Sequence, residues 1–127
     1  MNLDSQVCSL YLAKKLKELG VKQDSQFYYC NAKSIGHDVL KKEVWLIAHV
    51  SQTTGLSKDW FSAFTSSELG ELLPKFSELF KRDKEDWICI VRPITTVMTH
   101  HSFSPTEADA RAKMLIYLLE TKEITND

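Results

Sequence analysis

Cysteine is scarce in this chain and poorly placed for chemistry: Cys8, Cys30 and Cys89 are odd in number and far apart. Without a C-x-x-C pair there is neither a zinc ribbon nor a thioredoxin-like dithiol. Each thiol stands inside an apolar pattern, where free cysteine behaves as a small buried hydrophobe, and such usage fits a reduced intracellular compartment. Glycine is equally sparse. Gly20, Gly36, Gly55 and Gly70 stand alone, so no glycine-rich loop can cradle a phosphate, and no G-x-S-x-G presents a nucleophile. Charge of one sign is missing too: sixteen Lys and Arg face seventeen Asp and Glu, for a formal net charge of -1. A protein that holds nucleic acid by its overall charge carries a basic excess or a dense basic stripe. No apolar run approaches the roughly 20 residues that span a bilayer, and residues 1–5 lack the basic region and apolar core of a signal peptide. The expected location is the cytoplasm, with no membrane partner.

What is present is the composition of an ordinary folded domain. The 127 residues are 43% hydrophobic and 26% charged, which suits one domain over 1–127. A chain of this size buries roughly two-thirds of its unfolded surface, enough for a core without disulfides or metals.

Periodicity divides the chain. Cys8, Leu12, Leu16 and Leu19 recur at helical spacing and predict a helix over 5–19, capped by Asp4 or Ser5 and released by Gly20. Lys14, Lys15 and Lys17 fall off this stripe, on a solvated face. The aromatic run 26–30 suits a strand; 44–50 reads as a strand buried on both faces or nearly so, pairing with the first as a hairpin with a long connection. Residues 60–64 read as a short third strand. Thr65-Ser66-Ser67-Glu68 matches a capping box, and Leu69, Leu72, Leu73 and Phe76 form the apolar side of the helix it opens. Pro74 should end or kink that helix near Leu73, leaving 75–80 as a second short turn or a continuation. A solvent loop over 81–86 precedes a strand over 87–92, which Pro93 stops. A partner strand over 97–103 then pairs antiparallel. Ser104, Pro105 and Glu107 predict the start of the last helix, whose apolar positions are Ala108, Ala112, Leu115, Ile116 and Leu119, widened by Met114, Tyr117 and Leu118. Glu107–Arg111 and Asp109–Lys113 are favourable i,i+4 pairs. The expected class is α+β: an antiparallel sheet of four to five strands with three helices, in the order α-β-β-(β)-α-β-β-α.

Few of these residues suggest catalysis. His100 and His101 are neighbours on a predicted strand, where successive side chains face opposite ways, so they cannot chelate as a helical i,i+4 pair does. His37 falls in a loop, His49 ends a strand, and no H-E-x-x-H accompanies them; all four read as surface or sheet-edge residues. Cys30 and Cys89 lie in apolar strands rather than in the electropositive setting of a reactive thiol. Neither an enzyme, nor a metal, nor a cofactor is expected. Aromatics carry more promise. Phe27, Tyr28, Tyr29, Trp45, Trp60, Phe61, Phe64 and Trp87 lie on or beside predicted strands, and alternation turns some of them away from the helices. Most belong to a core; the remainder suit a protein-binding patch or, less well, base stacking.

Three stretches resemble a family of small phage and prophage proteins: residues 9–21 (SLYLAKKLKELGV), 65–74 (TSSELGELLP) and 106–120 (TEADARAKMLIYLLE). The matching residues are caps and core positions, so the resemblance brings no catalytic residue. It implies an origin in a mobile element and a protein that acts by binding a bacterial protein or ribonucleoprotein, a defence effector among them, in the manner of an anti-CRISPR inhibitor. The central stretch 31–59 is expected to carry the contact surface, with Tyr29, Lys41, Lys42, Trp60 and Phe61 as candidate contacts. The alternative is a nucleic-acid-binding accessory protein that uses the sheet face with Lys14, Lys15 and Lys17, together with Lys41 and Lys42.

Overall fold

The computed structural model describes residues 3–31, 45–50, 60–74, 77–81, 86–92 and 99–124. Leu3–Ser5 forms a single 3₁₀ turn. Helix α1 (Leu10–Glu18) follows with Ser9, not Asp4 or Ser5, at its N-cap. Tertiary partners set this later start. Val7 makes an isolated antiparallel bridge with Thr65, the Cys8 N–H donates to the Phe64 carbonyl at 2.9 Å, and the Ser9 N–H donates to Asp109 Oδ1 at 2.7 Å. Residues 7–9 are thereby held extended, and the helix begins only beyond them. Leu12 and Leu16 are buried as the spacing predicts. Gly20, at φ 87, closes α1: its N–H reaches the Lys17 carbonyl and the Val21 N–H reaches that of Leu16, the paired bonds of a Schellman motif.

Strands β1 (Phe27–Asn31), β2 (Trp45–His49) and β3 (Phe61–Ser62) form an antiparallel sheet in the order β2-β1-β3. The expected hairpin is present, with Phe27 opposite His49 and Asn31 opposite Trp45. Burial of β2 on both faces is not: none of its residues is buried, and Leu46 is 39% exposed. Among the described residues this strand is paired with β1 alone. Helix α2 (Ser66–Leu72) opens with the predicted capping box. Thr65 Oγ1 accepts from the Glu68 N–H at 3.2 Å, and Glu68 Oε1 accepts from the Thr65 N–H at 2.9 Å. It stops where Leu73, extended at ψ 157, adopts the conformation that a following proline imposes. Leu69 and Leu73 are buried while Leu72 is 45% exposed; Phe76 lies outside the described residues.

In place of the expected single sheet of four to five strands, the described residues form two sheets of three. Ser77–Lys81, expected as a turn or a helical continuation, is strand β4. Half-buried Leu79 alternates there with exposed Glu78 and Phe80, a period of two that only a strand can present. It pairs antiparallel with β5 (Trp87–Val91), which pairs with β6 (His100–Ser104), in the order β4-β5-β6. The antiparallel pairing of the last two strands is as expected; residues 97 and 98, assigned to the same strand, lie outside the described residues.

Helix α3 (Glu107–Glu120) has Thr106 at its N-cap, with Thr106 Oγ1 accepting from the Asp109 N–H at 3.2 Å. Ser104, the expected cap, instead ends β6 and is buried. Neither i,i+4 pair forms, because tertiary acceptors and donors compete successfully for the same groups. Asp109 serves Ser9, Lys113 Nζ donates to the Phe103 carbonyl at 3.0 Å, and Arg111 Nη1 donates to Ser66 O at 2.7 Å and Ser66 Oγ at 3.0 Å. Ala108, Ala112, Met114, Leu115, Ile116 and Leu118 are buried, whereas Tyr117 stays 43% exposed. These side chains join Leu12, Leu16, Phe64, Tyr29, Cys89 and Val91 in one cluster that draws on all three helices and both sheets. On the opposite face of the first sheet, Tyr28, Cys30 and Trp60 make a small second cluster. No helix among the described residues is long and apolar enough to cross a membrane.

Candidate functional site

Pairing in the first sheet puts Trp45 opposite Asn31 and Phe61 opposite Tyr29. Asn31 and Tyr29 are two residues apart on β1, so Trp45 and Phe61 share its helix-facing side. Their ring centroids are 5.6 Å apart and tilted by 53°. From α1, Lys14 Nζ sits 5.1 Å from the Trp45 centroid and 5.7 Å from that of Phe61. Lys17 Nζ lies 4.9 Å from the Phe61 centroid and donates to the Trp60 carbonyl at 2.9 Å. Two ammonium groups thus crown two aromatic faces, an arrangement worth about 0.5–1 kcal/mol per contact where water has access. One turn earlier on the same helix, Tyr11 is 77% exposed, well beyond any structural need of α1. The result is a cationic and aromatic ledge along one flank of α1.

No family model, curated protein or solved structure matches this chain.

The ledge gathers Lys14, Lys17 and Phe61, which belonged to two different candidate sets. Lys15 points elsewhere, 4.0 Å from Glu18 in an exposed pair of the kind that contributes little. Tyr29 is buried, and its hydroxyl donates to the Cys8 carbonyl at 2.7 Å; burial pushes the phenol pKa upward, and the ring is a core element, not a contact. Trp60 is 7% exposed within the second cluster and offers the ledge only its carbonyl. Lys41 and Lys42 lie outside the described residues. Trp45 and Tyr11 were not among the candidates. Tyr11 stands about 100° around the helix from both Leu10 and Leu12, off the Leu12–Leu16 stripe, and that offset is the signal that marks it.

The remaining chemistry is dispersed. His100 and His101 face opposite sides of β6: His100 Nε2 is 3.0 Å from Glu123 Oε2 with its ring 4.7 Å from Tyr117, while His101 is exposed beside Phe103. His49 meets Phe27 edge-on at 5.2 Å, and His37 lies outside the described residues. No group of three His, Cys, Asp or Glu among the described residues is placed to hold a metal. Burial pushes the thiol of Cys8 up to about 12 and that of Cys89 up to about 11, and raises that of Cys30. Such thiols stay protonated at neutral pH and make poor nucleophiles. A cavity of about 500 Å³ opens where α2 and α3 begin, lined by Ser5, Thr65, Thr106, Lys81 and Trp87 among others. Lys81 Nζ rests 5.9 Å from the Trp87 ring centroid there.

Proposed function

We propose that this chain is a phage-derived, non-enzymatic interaction protein that binds and modulates a bacterial protein or ribonucleoprotein, a defence effector in the anti-CRISPR manner being the specific instance. The observation that carries the reading is the ledge of Tyr11, Lys14, Lys17, Trp45 and Phe61. Exposed tyrosine is a rigid anchor of low entropic cost, and aromatic side chains are enriched where proteins bind proteins. The adjoining ammonium groups favour an acidic patch on the partner and steer the encounter. The resemblance to phage and prophage proteins supplies the biological setting.

The test compares the wild-type chain with Tyr11→Ala/Lys14→Glu as baits in a bacterial lysate. Tyr11 is exposed whereas Lys14 is half-buried over the two rings, so the circular dichroism spectrum and urea midpoint of the variant are matched to the wild type before the captures are compared. A protein retained by the wild type and lost by the variant is the expected result. Identical captures by both baits, or none by either, would sink the reading.

A nucleic-acid-binding role is the second reading, because cations interleaved with aromatic faces also suit single strands. The geometry favours it less: each ring already has a lysine over it, and Lys17 is committed to a backbone carbonyl. Binding of an oligonucleotide at low salt that weakens steeply as salt rises would promote it over the first.

A further inference from the structure

The cavity at the starts of α2 and α3 holds about 500 Å³, within the roughly 300–1,000 Å³ of small-molecule sites. Its walls are chemically mixed. Trp87 of β5 supplies an aromatic surface, Thr65, Ser66 and Thr106 supply hydroxyls, and Lys81 and Glu107 supply one charge of each sign. The lining shares no residue with the ledge on α1.

The three hydroxyl oxygens already serve as acceptors. Thr65 Oγ1 accepts from the Glu68 N–H at 3.2 Å, Thr106 Oγ1 from the Asp109 N–H at 3.2 Å, and Ser66 Oγ from Arg111 Nη1 at 3.0 Å. A hydroxyl has one proton to donate beside its lone pairs, so each keeps an O–H for a further acceptor. Lys81 can only donate, and the Glu107 carboxylate can only accept. Lys81 is exposed, so its amino group, 5.9 Å from the Trp87 ring centroid, can swing from the indole to a ligand.

These walls select among ligands. A wholly apolar molecule would cover the O–H groups and both charges without pairing them, which costs their desolvation. An anion would face the Glu107 carboxylate and a cation the Lys81 ammonium, in a recess where water screens them less than on an open surface. A neutral ring with an apolar face and hydroxyls around its rim suits every wall at once. We infer that the cavity binds a neutral sugar ring. Its C–H face lies against the Trp87 indole, and its hydroxyls accept from Thr65, Ser66, Thr106 and Lys81 and donate to Glu107. This site goes beyond the capture of a partner by the ledge and stands or falls separately from it. Ligand-efficiency bounds for so small a molecule put the dissociation constant on the order of 1 mM.

NMR titration of the wild-type chain with glucose, galactose, mannose and N-acetylglucosamine, each to about 50 mM so that a millimolar site saturates, tests it. At least one sugar should give saturable shifts of the Trp87 indole N–H and of the Ser66 and Thr106 amides. A methyl glycoside that binds as its free sugar does would mark the end of a glycan as the ligand, and one that does not would mark the free sugar. Glu107→Ala should weaken binding about tenfold, the loss expected when a hydrogen bond to a charged group is removed. Tyr11→Ala/Lys14→Glu should bind sugar like the wild type, which keeps this test separate from that of the ledge. Acetate and phosphate at the same concentration should leave the signals in place, a comparison that needs no variant. Unmoving signals with all four sugars would overturn the site. So would equal shifts with acetate or phosphate, the mark of an anion site, or Glu107→Ala binding at wild-type strength.

Discussion

Asp109 shows how much one side chain can hold. Its N–H is capped by Thr106 at the start of α3, and its carboxylate accepts from Ser9 at the start of α1. The bond to Ser9 crosses 100 residues of sequence, and a carboxylate on a helix-terminal N–H is a charge-assisted contact. Asp109→Ala should cost about 1–2 kcal/mol in denaturant unfolding, as lost caps do, while Asp109→Asn, which keeps an acceptor oxygen, should cost less. The thiols give a second prediction at this scale. Burial holds the proton on Cys8 and Cys89 in the folded chain, up to about 12 and about 11, while the ordinary value is 9.0. Between those values the unfolded state binds fewer protons than the folded one, so stability is complete below pH 9 and falls as pH rises above it. The slope should reach up to about 1.4 kcal/mol per pH unit for each thiol. Urea titrations at several alkaline pH values read it directly, and a Cys8→Ala variant should show a shallower slope. All three thiols are buried, so native protein should resist iodoacetamide at pH 8 and react fully once unfolded.

Among the elements, α2 is short and depends on its contacts. Gly70 lies within it, where glycine costs about 1 kcal/mol relative to alanine. The reason for glycine is Arg111 of α3: a Cβ on Gly70 would stand 2.8 Å from Nη1 and 3.0 Å from Cζ, while that guanidinium holds Ser66 in the first turn of α2. Gly70→Ala should therefore gain little or lose stability in the wild type, yet gain about 1 kcal/mol of helix propensity once Arg111→Ala has cleared the space. A double-mutant cycle that finds the two changes additive would remove the guanidinium from this explanation. The same elements show what local pattern can convey. The capping box at Thr65 and Glu68, the stop before Pro74 and the Gly20 exit were legible, because each is decided within a few residues. The start of α1 was not, since Val7, Cys8 and Ser9 answer to Thr65, Phe64 and Asp109. Nor was the α3 cap, where both Ser104 and Thr106 had suitable side chains and the pairing of β6 chose between them. Strand β4 escaped notice because SELFK offers only five residues of alternation next to a helix-like stretch, and its identity comes from β5.

At the scale of the whole molecule, the division into two sheets was invisible in the sequence for a related reason. Alternation reports which residues face a core, but not which strands share a ladder, and the helices lie between strands that could have formed one sheet. The candidate site followed the same rule. Lys14 and Lys17 read as a solvated helix face and Phe61 as a strand aromatic; only the placement of α1 beside β3 joined them, and only the β1–β2 register added Trp45. The main core binds these parts into one unit. Tyr29 and Phe61 from the first sheet and Cys89 and Trp87 from the second contact the same cluster, with Leu16, Phe64 and Met114 among its buried members. Neither sheet retains a complete apolar face without the shared helices, so both should unfold in one cooperative step. The three tryptophans allow this to be seen, since Trp45 and Trp60 report on the first sheet and Trp87 on the second. In a Trp87→Phe chain and in a Trp45→Phe/Trp60→Phe chain, the fluorescence midpoint in urea should coincide with the circular dichroism midpoint of that same variant. Leu16→Ala, added to each, should lower both midpoints together and cost about 2–5 kcal/mol. A Trp87 transition that stays in place while the dichroism moves would mean that the second sheet stands on its own, and that α3 alone is enough to support it.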